Sequence, residues 1–139
     1  MTTERTTNGA PTAVEAAQVA EFRVALRRFL YETERVAREC ELTPGWYMLM
    51  LQIKGAPDLT EQTTVTALAE RMRLAQSSVT ELVARAEQAG LIERNPSSDD
   101  ARVVLLRLSA EGERAFARAF RSLASERQRL REAIAGLEV

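Results

Sequence analysis

The side chains best able to do chemistry in this 139-residue chain are arginines, and most of what an enzyme commonly uses is missing. There is no histidine. That removes the commonest general base at neutral pH, the Ser-His-Asp arrangement and every imidazole metal ligand. The one cysteine, Cys40, cannot form an intramolecular disulfide, which points to a reducing compartment, the cytoplasm. No Gly-rich phosphate loop is present, and nothing in the sequence calls for a cofactor or a metal. Lys54 is the only lysine, and every other basic residue is Arg. A guanidinium fork suits bidentate contacts to base edges and phosphates, although codon bias alone would produce the same preference.

Bulk properties narrow the class. A hydrophobic fraction of 45% and a charged fraction of 28% describe a soluble globular protein. The formal net charge of -1 is not that of a non-specific nucleic-acid coat, so the placement of the arginines matters more than their number. The length suits one domain that buries about 70% of its unfolded surface. The N-terminus has no apolar run long enough for a signal peptide or a membrane span, so no membrane partner is expected.

The elements that must position those arginines follow from periodicity. Residues 1–13 are polar and read as a disordered arm, leaving 14–139 as one domain. Val19, Phe22, Leu26, Phe29, Thr33, Val36 and Cys40 alternate spacings of three and four, which makes one stripe of a long helix. Cys40 on that stripe reads as a small buried hydrophobe, with a redox sensor as the alternative. Thr43-Pro44-Gly45 opens a second helix, whose run from Trp46 to Ile53 is apolar on almost every face and should be covered all round.

Two short amphipathic helices follow, carried by Val65, Leu68, Ala69 and Met72 and by Val79, Leu82, Val83 and Ala86. Only Arg73-Leu74-Ala75 separates them, and Gly90 ends the second, so they form a helix-turn-helix unit. Leu91 to Arg94 and Arg102 to Leu108 read as two strands around the turn signal Asn95-Pro96-Ser97-Ser98-Asp99-Asp100, making a hairpin wing. Ser109 can cap a last, long helix. Its residues Phe116, Phe120, Leu123, Leu130, Ile134 and Leu137 form a heptad seam with Arg127 in the skipped apolar position. Seams at both chain ends lack partners, so they predict either a homodimer or packing of one seam on the other within a single chain.

The resulting fold class is mainly α with a small β-hairpin wing: a winged helix-turn-helix (60–108) with long N- and C-terminal dimerisation helices (14–54 and 109–139). In this order the elements resemble the MarR (multiple antibiotic resistance regulator) family over roughly Val19 to Leu137. The most specific residues are Val65 to Met72, Ser77 to Val83, Ala89 to Arg94, Asp100-Ala101-Arg102 and Leu108-Ser109. Against the family pattern, Arg73 replaces a small turn residue, Ala75 a capping Asp or Ser, and Glu81 a basic residue. The resemblance implies a ligand-responsive repressor that binds a palindromic double-stranded DNA operator as a homodimer, and not an enzyme.

It also implies roles for individual residues. The second short helix would enter the major groove with Ser77, Glu81, Ala84 and Gln88 outward, flanked by Gln76, Ser78, Thr80 and Arg85. Gln76 suits an adenine edge and Thr80 a thymine methyl. Ser77, Ser78 and the free N–H groups of the helix start suit phosphates, as do Arg73 and Arg85. Glu81 would either accept from cytosine N4 or pair with Arg85 four residues on. Arg94 and Arg102, at the base of the wing, would meet the minor groove, with Asp99 or Asp100 orienting the guanidinium; the alternative is a solvated surface salt bridge. Phe29, Tyr31, Trp46, Tyr47, Met50 and Phe116 would surround a small apolar or aromatic effector, or else are plain core. Two other classes remain: a winged-helix protein-interaction module without DNA binding, and a small enzyme using Asp, Glu, Ser or Tyr, for which spacing places no pair in a cleft.

Overall fold

The computed structural model describes residues 9–137, so residues 1–8 of the expected arm lie outside the described residues. The first helix, α1 (Ala13–Glu39), starts one residue earlier than periodicity predicts. Thr12 accepts from the Glu15 amide at 3.1 Å, and the Glu15 carboxylate accepts from the Thr12 amide at 2.9 Å. This capping box satisfies two otherwise orphaned donors, and Thr-x-x-Glu is its sequence signature.

Helix α2 (Pro44–Lys54) starts as expected, with Thr43 accepting from the Trp46 amide and Pro44 in the first turn. It is the hub of the molecule, touching α1, the helix-turn-helix pair α3 (Val65–Met72) and α4 (Gln76–Gln88), strand β2 (Val104–Leu108) and helix α5 (Ala110–Ser122). Leu49, Met50 and Ile53 are wholly buried, each contributing about 1.5–3 kcal/mol by leaving water. The expectation that α2 is covered all round needs correction, because Met48 is exposed. One core joins these residues to Leu68, Val79, Val83, Leu106, Phe116 and Leu123, so the winged lobe and the terminal helices share it.

The wing is a two-stranded antiparallel sheet of β1 (Ile92–Pro96) and β2, with Ile92 opposite Leu108 and Pro96 opposite Val104. Strand β1 starts one residue and ends two residues later than expected, while β2 starts two residues later and ends where expected. Asn95 and Pro96 are strand, and Arg102 belongs to the turn. The hairpin is closed by the Ser97 amide donating to Val103 O at 2.8 Å, so the turn chemistry begins only at Ser97. Pro96, at the strand end, has no N–H for a ladder to lose. Thr63 adds a bridge to Leu106, with two backbone hydrogen bonds of 3.1 and 2.7 Å, tying the loop before α3 to the sheet.

Ser109 caps α5 through the Gly112 amide and also donates to Gly90 O. The expected single C-terminal helix is two. Leu123, at φ -95° and ψ 3°, ends α5 and begins α6 (Ala124–Ala135). The break lets Leu123 enter the core while α6 turns onto α1, where Arg28 Nε meets Glu126 at 3.2 Å. Arg127, in the skipped seam position, stacks over the Phe120 ring at 3.8 Å. The α1 stripe also needs revision. Thr33 and Val36 are buried, but Val19 is exposed, and Val24, Leu30 and Tyr31 form further exposed apolar surface. Cys40, expected to be buried, is only half-buried at the C-cap of α1. No helix among the described residues is long and apolar enough to cross a membrane.

Candidate nucleic-acid interface

The turn between α3 and α4 is made by Arg73 in the left-handed region, φ 55° and ψ 46°. A side chain rarely sits there without strain, which is the physical reason a small residue suits this position. Leu74 N closes the turn on Ala69 O at 3.1 Å. Among the described residues Arg73 has no carboxylate partner, and it is exposed beside the start of α4. Ala75 gives α4 no side-chain cap; the Ser78 and Val79 amides donate to Ala75 O, which leaves the N–H groups of Gln76 and Ser77 for another acceptor.

Helix α4 turns Val79, Val83 and Ala86 into the core and leaves Gln76, Ser77, Ser78, Thr80, Glu81, Ala84, Arg85 and Gln88 exposed. The outward face expected from periodicity is therefore the exposed one. Its side chains are already ordered by local bonds. Gln76 Nε2 donates to Thr66 Oγ1 on α3 at 2.7 Å, and Thr80 Oγ1 donates back to Gln76 O at 2.9 Å. Arg85 Nη2 donates to Glu81 Oε1 at 2.7 Å, so the pairing between these residues is present.

The two wing arginines are held in different ways. Arg94 Nε donates to Glu87 of α4 at 2.9 Å, not to a wing aspartate, and so braces β1 against the helix. Arg102 is held by Asp100, while Asp99 contributes only its amide, which donates to Ser97 Oγ. The Arg102 amide, followed by its guanidinium, holds the Asp100 carboxyl below the usual carboxylate range. The Arg102 side chain remains 92% exposed. Sequence reasoning missed Thr66 and Glu87, the partners of Gln76 and Arg94. Thr66 lies in the preceding helix, and Glu87 needs the geometry of the α4 to β1 connection. Neither pairing has a local spacing signal.

The six residues expected around an effector do not share one cavity. Tyr47 and Phe116 stack with centroids 5.5 Å apart and are buried with Met50. Burial pushes the Tyr47 phenol up, and the charge of Arg127 opposes this. Trp46 edges a hollow of about 850 Å³ with Cys40, Leu42, Leu91 and Arg118, and Phe116 borders a separate one of about 480 Å³ with Leu51 and Phe120. Phe29 is half-buried, and Tyr31 is on the outer face of α1.

Residues 41–103, from the end of α1 through the wing, match a family model described as the MarR family. No curated protein matches the chain in sequence. Among solved structures, the chain is similar to apo wild-type MarR from E. coli, with 17% identity over 79% of each chain and a TM-score of 0.65. A mutant MarR from E. coli complexed with operator DNA gives 17% identity, 78% and 75% coverage and a TM-score of 0.64. YusO from Bacillus subtilis gives 23% identity, covering 92% of this chain and 87% of its own, with a TM-score of 0.61. At these identities the structures speak for the fold, and the family model speaks for the region that carries the helix-turn-helix and the wing. The chain is thus similar to the MarR family: residues 41–103 match its model, and the fold is that of the solved MarR structures.

Proposed function

We propose that this protein is a sequence-specific double-stranded DNA-binding transcriptional regulator, acting as a homodimer on a palindromic operator. The observation that carries the reading is the continuity of α4 with the wing. Gln76, Ser77, Ser78 and Thr80 are exposed on one helix, and Arg102 projects from the hairpin that follows it. In this reading the start of α4 enters the major groove and offers its uncapped N–H groups to a phosphate. Gln76 reads an adenine edge. Thr80, whose hydroxyl is returned to its own helix, offers a methyl to thymine. Arg73 adds a phosphate contact, and Arg102 meets the minor groove.

The dimer is supported by apolar surface left uncovered at both chain ends. Val14, Val19, Val24 and Tyr31 on α1 and Ile134 on α6 are all more than half exposed. A second copy of this chain would cover them, giving the two-fold symmetry that a palindrome mirrors. In this reading residues 60–108 form the DNA-binding lobe, with 14–54 and 109–139 the dimerisation helices. An apolar or aromatic effector, the finer form of the reading, would enter at the hollow beside Trp46 or the one beside Phe116.

One observation favours the interaction module instead: Arg85, Arg94 and Arg102 each already face a carboxylate. The test is selection from a random duplex pool, followed by titration at two salt concentrations. A regulator selects one palindromic sequence and loses affinity steeply as salt rises. An interaction module shows neither behaviour.

A further inference from the structure

We infer that Glu81 and Arg85 act together as a specificity element that reads one C·G base pair in each half-site. The inference rests on the regulator reading and adds to it what the middle of α4 recognises. The two side chains lie one turn apart on the exposed face of α4, opposite Val79 and Val83, and are 65% and 68% exposed. A carboxylate aimed at a groove lined by phosphates is repelled unless it is neutralised. Arg85 neutralises this one through a 2.7 Å bond from Nη2 to Oε1. That bond leaves Glu81 Oε2 free to accept and most of the guanidinium free to donate.

The pair thus presents a fork of donors next to an acceptor. In the major groove a C·G pair shows the complement: two adjacent acceptors, guanine N7 and O6, beside one donor, cytosine N4. An A·T pair places its donor between two acceptors and adds a methyl group, so it matches one of these side chains at a time. The internal bond also fixes the direction of both groups before DNA arrives, which lowers the ordering cost of recognition.

Duplex selection with wild type, Glu81→Ala and Glu81→Gln tests this, with folding checked by circular dichroism because both positions are exposed. In the wild-type operator, changing one C·G pair per half-site to A·T should weaken binding about tenfold or more. Glu81→Ala, which leaves Arg85 alone at the guanine, should shrink that difference several-fold while keeping wild-type preferences elsewhere. Glu81→Gln, which keeps the length but carries an amide that pairs best with adenine, should move the preference towards A·T. Retention by Glu81→Ala of the full wild-type preference at every position would overturn the inference and leave the regulator reading intact. Absence of any selection by the wild type would overturn both.

Discussion

Asp100 and Arg102 form a closed unit at the tip of the wing. The Arg102 amide donates to Asp100 Oδ1 at 3.0 Å, its Nε to the same oxygen at 3.3 Å, and its Nη2 to Oδ2 at 3.3 Å. One carboxylate thereby sets both the turn and the direction of the guanidinium. With the Arg102 side chain almost wholly in solvent, the bond is a poor source of stability, so its value lies in orientation.

Arg102→Ala should therefore weaken operator binding about tenfold or more without altering fold or assembly. The salt slope should fall by about one per lost phosphate contact, with two such sites in a dimer. Asp100→Ala should weaken binding less, because the guanidinium remains and loses only its orientation. Filter-binding or anisotropy titrations of the three proteins check the ordering, and equal affinities would remove the wing from the mechanism.

Gly112 should not tolerate a side chain. A Cβ there would sit 2.1 Å from Leu91 O, where Ser109 ties the start of α5 to the turn after α4. The obstacle is backbone, which cannot rotate away. Gly112→Ala should destabilise by on the order of 1–3 kcal/mol or more, as overpacking does. Urea unfolding measures this directly, and a change below about 0.5 kcal/mol would mean the two segments part easily.

Association should depend on α6. Ile134 is 52% exposed in the single chain, so Ile134→Asp leaves the protomer fold largely untouched. If a second copy covers it, the substitution buries an unpaired charge at a cost on the order of several kcal/mol. Sedimentation of the wild type should give twice 15.5 kDa, and the variant a monomer at micromolar concentration. A monomeric wild type would contradict the dimer.

Stability should fall in the alkaline range. Burial raises the Tyr47 phenol, and the carboxylates of Glu61 and Glu113 raise the Lys54 ammonium. A group whose folded pKa is raised contributes fully below its unfolded pKa, and that contribution is lost as pH climbs through the folded value. Unfolding free energy should thus decline above about pH 10. Tyr47→Phe should lessen the decline, and the residue of it should follow Lys54. A variant with an unchanged alkaline profile would show that Tyr47 contributes nothing to it.

Much of the fold was legible because local chemistry decided it. Thr43-Pro44 opens α2, Gly90 at φ 80° ends the region after α4, and Ser109 caps α5. The three-four spacing of Val79, Leu82, Val83 and Ala86 identified the inner face of α4, and with it the exposed one. The break at Leu123 was hidden, because a heptad seam continues in register across it and only the packing of α6 on α1 shows the bend. The strand limits shifted because Asn95-Pro96 carries turn chemistry that a strand end also tolerates. At the candidate interface, the spacing of Asp100 and Arg102 and of Glu81 and Arg85 allowed each pair to be anticipated. The bonds of Gln76 to Thr66 and Arg94 to Glu87 join separate elements, and periodicity carries no information about them.

The central claim is that α4 and the wing read DNA sequence. The most direct measurement is the affinity of the purified protein for its selected palindromic duplex and for a scrambled duplex, at about 50 mM and 200 mM salt. The account predicts at least about a thousandfold preference for the palindrome, and affinity falling steeply with salt for both duplexes. Equal, weak binding to both duplexes with no salt dependence would contradict it.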